Sequence, residues 1–193
     1  MPFDYYRRLS GKRRAIYRAS DAVARIDLPR PGELVPLAEA LGPALRGDDR
    51  VQVEKLSAAI VSGMCRQLEL RSPSTRVLAA RPSASVIGYA GAELHGLYSW
   101  EVGQRPILMV WMRTAREERP VAHRTFVRTL MHEVGHHLDY HYLKLQESFH
   151  TQGFFRRESS LTKQILPRTP RARREQGLEG PDAGRAILAK LRG

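Results

Sequence analysis

Apolar residues recur at helical spacing in the region between residues 121 and 145. The stripe has members three, four or seven positions apart: Val127, Leu130, Met131, Val134 and Leu138. Such spacing is typical of an amphipathic helix that turns one face towards a core. Pro120 suits the start of this helix, because its fixed φ angle and its missing N–H cost little in a first turn. The pattern therefore predicts a helix over residues 121–145.

Short strand-like runs precede that helix. Residues 93–100 and 106–112 are rich in apolar and aromatic side chains, and a turn that contains Gly103 separates them. These features predict a β-hairpin or two neighbouring strands. Residues 76–80 can add a third strand, after a helix predicted over 50–70. An edge of this small sheet beside the helix of residues 121–145 could hold an extended peptide by backbone pairing.

Helical periodicity also marks three further stretches, residues 7–26, 33–45 and 156–166, and a last helix is expected over 183–191. Residues 148–154 are interpreted as a turn, with Gly153 as the predicted point of chain reversal. We therefore expect an α+β fold in which a small β-sheet packs on helices. Its parts are a basic helical N-terminal extension (1–47), a domain that carries the candidate site (48–166) and a flexible Pro/Arg-rich C-terminal tail (167–193).

The helix predicted over residues 121–145 carries the motif His132-Glu133-Val134-Gly135-His136. Two histidines four residues apart lie about one turn apart on the same side of a helix, and can bind one metal ion. Glu133 is rotated away by one residue and can reach a water on that ion instead. This is the H-E-x-x-H arrangement of zinc hydrolases. We therefore expect His132 and His136 as Zn²⁺ ligands and Glu133 as the catalytic general base.

A catalytic zinc usually has three protein ligands and leaves one position for water. Glu158 is favoured as the third ligand, because two antiparallel helices joined by the turn at 148–154 would bring it back towards the motif histidines. His150 is the alternative ligand, and otherwise a catalytic imidazole that stabilises the oxyanion. Asp139 shares the ligand face but lies about 10 Å of helix rise from the first histidine. We expect Asp139 to accept a hydrogen bond from a ligating imidazole.

Several pieces of the chain resemble a known family: a strand with Gly96-x-Tyr98, a strand that contains Ile107, the motif of residues 132–136 and Glu158-Ser159-Ser160 at the opening of the next helix. Together they make residues 51–166 similar to the compact gluzincin metallopeptidases, and within them to the ImmA/IrrE-like bacterial peptidases. The resemblance implies a zincin-like minimal metallopeptidase domain. It also implies that His132, His136 and Glu158 bind zinc and that Glu133 is the catalytic base.

The chain of 193 residues has a formal net charge of +12, and basic residues concentrate at 7–14 and 168–174. No zinc-finger spacing, RNP-like strand or recognition helix accompanies this charge. We therefore expect solvated basic termini that could make weak contacts with nucleic acid or acidic proteins. The single cysteine, Cys65, excludes an internal disulfide framework. No run is long and apolar enough to cross a membrane, and no signal core follows Met1, so we expect a cytoplasmic protein without a membrane partner.

These observations together predict a small zinc metallopeptidase whose substrate is a protein or peptide bound in extended form. The alternative is a regulatory or nucleic-acid-associated protein with a non-catalytic zinc site on the same fold, in which the basic termini supply the affinity. The two hypotheses differ in what Glu133 does, since only the first requires its carboxylate for function.

Overall fold

The computed structural model describes residues 3–79, 96–114 and 119–166. These ranges contain five α-helices and three β-strands: α1 (Gly11–Ala22), α2 (Val35–Arg46), α3 (Arg50–Gln67), β1 (Ser74–Leu78), β2 (Gly96–Ser99), β3 (Ile107–Trp111), α4 (His123–His141) and α5 (Gln152–Ile165). The described part of the chain is thus α+β, which confirms the expected class. The tail predicted at 167–193, with its helix at 183–191, lies outside the described residues. Within the described ranges, no helix combines the length and the apolar character needed to cross a bilayer.

The three strands form one mixed sheet with the order β1-β3-β2. β3 runs parallel to β1 and antiparallel to β2, where Gly96 is opposite Val110 and Ser99 is opposite Ile107. Gly103, in the connection between β2 and β3, has a φ of +84°, a conformation that glycine adopts most readily. The predicted hairpin and third strand are therefore confirmed. β2 lies at an edge of the described sheet and packs against α4.

One apolar core joins the sheet to the helices. The stripe predicted on α4 is buried in it, and the core also takes apolar side chains from α3, β3 and α5. Six members of the same cluster come from the predicted N-terminal extension: Ile26, Leu28, Leu34, Ala38, Leu41 and Leu45. Burying side chains of this size stabilises the fold by roughly 1.5–3 kcal/mol each. The described part of the N-terminal extension therefore shares its core with residues 48–166.

Helix α5 begins at Gln152, earlier than the predicted start at residue 156. Thr151 is the N-cap, and its side chain accepts a hydrogen bond from the backbone N–H of Phe154, which satisfies one of the free donors of the first turn. Gly153 lies inside this first turn and not at a chain reversal. The helix there passes so close to the end of α1 that a Cβ on Gly153 would lie 2.8 Å from Cα of Asp21. As a result, His150 stands immediately before the cap of α5.

Replacing Gly153 with alanine should destabilise the fold, because the added Cβ would overlap the backbone of Asp21, which cannot move aside as a side-chain end could. We expect the free energy of unfolding to fall by about 1–3 kcal/mol, measured by chemical denaturation followed by circular dichroism. Gly32→Ala is the control, since a Cβ at that position meets nothing within 4 Å. Equal stability of the two variants would contradict the close approach of α5 to α1.

Candidate metal centre

Three histidines converge where α4 passes the start of α5. His132 and His136 project from one face of α4, as their spacing of four residues requires, and His150 comes from the loop between the two helices. Nε2 of His150 lies 3.0 Å from Nε2 of His132 and 3.2 Å from Nε2 of His136. One ring nitrogen from each of the three residues lies within 4.8 Å of the other two. These histidines are therefore close enough to bind one metal ion.

The carboxylate of Glu158 fixes the orientation of the first of these rings. Nδ1 of His132 donates a hydrogen bond of 2.9 Å to Oε2 of Glu158, and Nε of Arg128 donates one of 2.5 Å to Oε1. Burial alone would raise the pKa of Glu158, but these two hydrogen bonds outweigh it and lower that pKa. An ionised Glu158 keeps the proton of His132 on Nδ1, and Nε2 then presents its lone pair to the cluster.

The second ring is oriented through a serine. Nδ1 of His136 donates to Oγ of Ser148 at 2.7 Å, and Oγ of Ser148 donates to Oδ2 of Asp139 at 2.7 Å. Asp139 was expected to accept directly from a ligating imidazole, and the structure inserts Ser148 between the two groups. Burial, with His132 and His150 nearby, lowers the pKa of His136 to about 3. Its imidazole is therefore neutral near pH 7, which is the form that binds metal ions.

Sequence reasoning favoured Glu158 over His150 as the third ligand, and in the structure the imidazole of His150 is the group that lies with the motif histidines. The Glu158 carboxylate contacts Nδ1 of His132, whereas the cluster forms around the Nε2 atoms. The early start of α5 is the physical reason. It puts His150 at the end of the loop opposite the motif, while Glu158 lies farther along the helix and approaches His132 from its other side.

Glu133 lines the same cleft as the three histidines. Its side chain is only 4% exposed, and burial raises its pKa to about 7, although the neighbouring His132 acts in the opposite direction. Gly96 of β2 packs directly over this carboxylate, and a Cβ at that position would lie 2.7 Å from Cδ of Glu133. The absence of a side chain at Gly96 is therefore what leaves room for Glu133 beside the cluster.

The cleft around these residues has a volume of about 680 Å³. β2 forms one wall with Gly96, Leu97 and Tyr98, and α4 forms the floor. The opposite wall comes from the loop before α5 and from α5 itself. A cleft of this size, bounded by the edge of a sheet and open on one side, can accept a segment of another chain as well as a small molecule.

Sequence reasoning missed the part that Tyr98 plays. Its hydroxyl lies 3.0 Å from Nδ1 of His137 and 3.0 Å from Nε2 of His141, and its ring stacks on that of His136 with centroids 6.4 Å apart. Nε2 of His137 donates to the carbonyl of Arg71 at 3.1 Å, so Tyr98 donates to His137 and accepts from His141. The spacing of four residues between His137 and His141 indicated that they lie on one face of the helix. Nothing in the sequence indicated that both contact Tyr98 of β2.

Comparisons of the chain with protein-family models, with curated proteins and with solved structures gave no match. The chemistry of the cleft is therefore inferred from the residues that line it. Within the described ranges, the cluster of His132, His136 and His150 is the group of three side chains placed to hold a metal ion. Each of the two motif histidines has a hydrogen-bond acceptor on Nδ1, and a buried carboxylate lines the cleft beside them.

His150→Ala should weaken metal binding far more than Glu158→Gln does. The first change removes an imidazole from the cluster, whereas the amide oxygen of glutamine can still accept the hydrogen bond from Nδ1 of His132. We expect the dissociation constant for Co²⁺ to rise more than about 100-fold for His150→Ala and about tenfold for Glu158→Gln. Visible absorption of Co²⁺ during titration measures both, with circular dichroism to confirm folding. A larger loss in Glu158→Gln would make Glu158 the ligand after all.

Proposed function

We propose that this protein is a zinc-dependent metallopeptidase of the zincin-like type. His132, His136 and His150 bind the ion, and Glu133 is the general base. The convergence of three imidazole nitrogens in a cleft that a buried carboxylate also lines is the observation that carries the proposal. Glu158, the ligand implied by the resemblance to gluzincins, acts in this proposal by orienting His132.

The donor set fits Zn²⁺. Three protein ligands and one open position are the usual arrangement of a catalytic zinc, and sets of three histidines occur among such sites. Zn–N bonds of about 2.0–2.1 Å in a tetrahedral arrangement put ligand nitrogens about 3.3–3.4 Å apart. The observed separations of 3.0 Å and 3.2 Å around His150 are close to that value. Hydrogen-bond acceptors on the Nδ1 atoms of His132 and His136 are also what ligating imidazoles normally have.

When bound, the zinc ion supplies an acidified water and polarises the carbonyl of the bond to be cleaved. Glu133 would accept a proton from the water molecule whose oxygen attacks the amide carbon. The carbon–nitrogen bond then breaks, and Glu133 delivers the proton to the departing amine. Burial under Gly96 holds the carboxylate in one position and keeps bulk water away from it. Glu133 thus acts first as base and then as acid.

The position of β2 supports a peptide as the substrate. β2 pairs with β3 on one side, and among the described strands none pairs with its other edge. Gly96, Leu97 and Tyr98 line the cleft beside the histidines. An extended peptide could pair with this free edge through its backbone, which would lay a peptide bond across the cluster. Backbone pairing of this kind accepts many side-chain sequences.

A non-catalytic role in binding nucleic acid or an acidic protein is the second candidate. One observation favours it: five cationic side chains near the N-terminus have no carboxylate partner among the described residues, namely Arg7, Arg8, Lys12, Arg14 and Arg18. A concentration of positive charge on one segment attracts polyanions over a distance of about one Debye length. Under this candidate, the histidine cluster would hold a metal ion without turnover.

Glu133→Gln separates the two candidates. The amide occupies the same space but cannot accept the water proton, so we expect hydrolysis of a peptide library by the zinc-loaded protein to fall by about 10²–10⁴-fold. Zinc content should stay at the wild-type value, because Glu133 is not a ligand. Peptide cleavage is measured by mass spectrometry, and metal content by elemental analysis of the same samples.

His132→Ala is the matched variant, since it removes a ligand and should abolish zinc binding and hydrolysis together. Full activity of Glu133→Gln would exclude the carboxylate as the base and with it the peptidase proposal. Unchanged hydrolysis by His132→Ala would trace the cleavage to a contaminating protease. A protein that binds zinc and cleaves nothing in the library would favour the second candidate.

A further inference from the structure

The loop that carries His150 is held in place by residues near the N-terminus, which lie outside the cleft. This histidine loop (residues 142–151) connects α4 to α5 and contains Ser148 as well as His150. A loop of this length has many conformations, and holding a ligand in one of them costs conformational entropy unless other contacts fix it. The contacts that fix it come from residues 3–25, called here the N-terminal helix segment, which comprises the helical turn Asp4–Arg8, α1 and the residues after it.

The first contact is made on the backbone of the ligand itself. The hydroxyl of Tyr5 donates a hydrogen bond of 3.0 Å to the carbonyl oxygen of His150. The neighbouring side chain, Phe149, is buried against Leu9 and Tyr17 in a small apolar cluster separate from the main core. Because Phe149 and His150 are adjacent, anchoring one side chain in this cluster sets the direction in which the other points.

The second contact lies just after the ligand. Oδ1 of Asp21 accepts a hydrogen bond of 2.8 Å from the backbone N–H of Gly153, in the first turn of α5. Upstream in the same loop, Arg13 forms an ion pair of 2.7 Å with Glu147. The histidine loop is thus held before, at and after His150, each time by a residue of the N-terminal helix segment.

The same segment also reaches the second histidine through the interior. Arg157 of α5 donates to the carbonyl oxygens of Ser20 and Val23, and with its other terminal nitrogen to Oδ1 of Asp139 at 2.6 Å. The other oxygen of Asp139 accepts from Ser148, which in turn accepts from Nδ1 of His136. A continuous set of hydrogen bonds therefore runs from the end of α1 to the cluster.

We infer that two residues of the N-terminal helix segment, Tyr5 and Asp21, are positioning residues for His150. This inference rests on the proposed ligand set. The segment fixes His150 opposite His132 and His136 before the metal binds. Because the histidine loop is already ordered, metal binding costs little conformational entropy. Without the hydrogen bond from Tyr5 or the one to Asp21, His150 is no longer held in place and metal affinity falls. The two histidines on α4 keep their positions.

The experiment compares two pairs of matched variants in the full chain. Tyr5→Phe removes the hydroxyl at His150, and Tyr6→Phe removes one that accepts a hydrogen bond from Arg18 and not from the histidine loop. Asp21→Ala removes the acceptor for Gly153, and Asp27→Ala removes an exposed carboxylate paired with Arg25. Titration with Co²⁺ alone gives the dissociation constant, and its visible absorption spectrum reports the number of ligands.

We expect the dissociation constant for Co²⁺ to rise about three- to tenfold for Tyr5→Phe and about 10- to 100-fold for Asp21→Ala. The Co²⁺ spectrum should shift towards that of His150→Ala. Tyr6→Phe and Asp27→Ala should match the wild type in both readouts. Circular dichroism at the titration temperature confirms that each variant is folded, and Tyr5→Phe decides the question if Asp21→Ala fails to fold.

Repeating Tyr5→Phe in the His150→Ala background tests whether the effect passes through that ligand. We expect no further loss of Co²⁺ affinity there, because the residue that Tyr5 positions is already absent. An equal loss in both backgrounds, or wild-type affinity in Tyr5→Phe, overturns the inference and leaves the ligand set intact. Wild-type affinity in His150→Ala itself overturns the ligand set, so the two failures are distinguishable.

Discussion

The buried guanidinium of Arg157 is the group on which the arrangement of the site depends. Its side chain is 1% exposed, and a buried arginine requires an anionic partner together with acceptors for its remaining N–H groups. Asp139 of α4 is the partner, and the carbonyls at the end of α1 accept from one terminal nitrogen, whereas the buried Nε has no hydrogen-bond partner among the described residues. Removing one side of such a pair typically costs about 3–5 kcal/mol. One side chain therefore joins α1 to the helix pair α4 and α5.

Two sets of hydrogen bonds orient the motif histidines, and the set through Asp139 and Ser148 is the one that begins at Arg157. The buried Asp139 holds His136 through Ser148, which is half-buried and lines the cleft. Glu158 holds His132 at the wall of the cleft, where its second partner, Arg128, is largely exposed. Each network leaves one Nε2 lone pair directed at the cluster. His150 is held differently, through its own backbone, and so depends on distant parts of the chain.

The sequence predicted the features that depend on residues close together in the chain. The apolar stripe and the motif on α4, and the hairpin around Gly103, follow from periodicity and from turn preference, and the structure confirms these elements. The start of α5 could not be predicted in the same way. The sequence analysis interpreted residues 148–154 as a turn, and the close approach of Gly153 to Asp21 joins residues far apart in the chain and leaves no periodic signal. His150, which sequence reasoning favoured less than Glu158, lies next to that boundary.

The shortness of β2 has a consequence for how the protein behaves among other copies of itself. An unpaired strand edge can pair with any extended chain, and long edges of this kind promote self-association. β2 has four residues, and its backbone lies in a cleft next to α4. A strand this short offers only a few hydrogen bonds, enough to hold one segment briefly but too few to seed a growing intermolecular sheet. Among the described strands, the unpaired edge of β2 is therefore too short to template an extended intermolecular sheet.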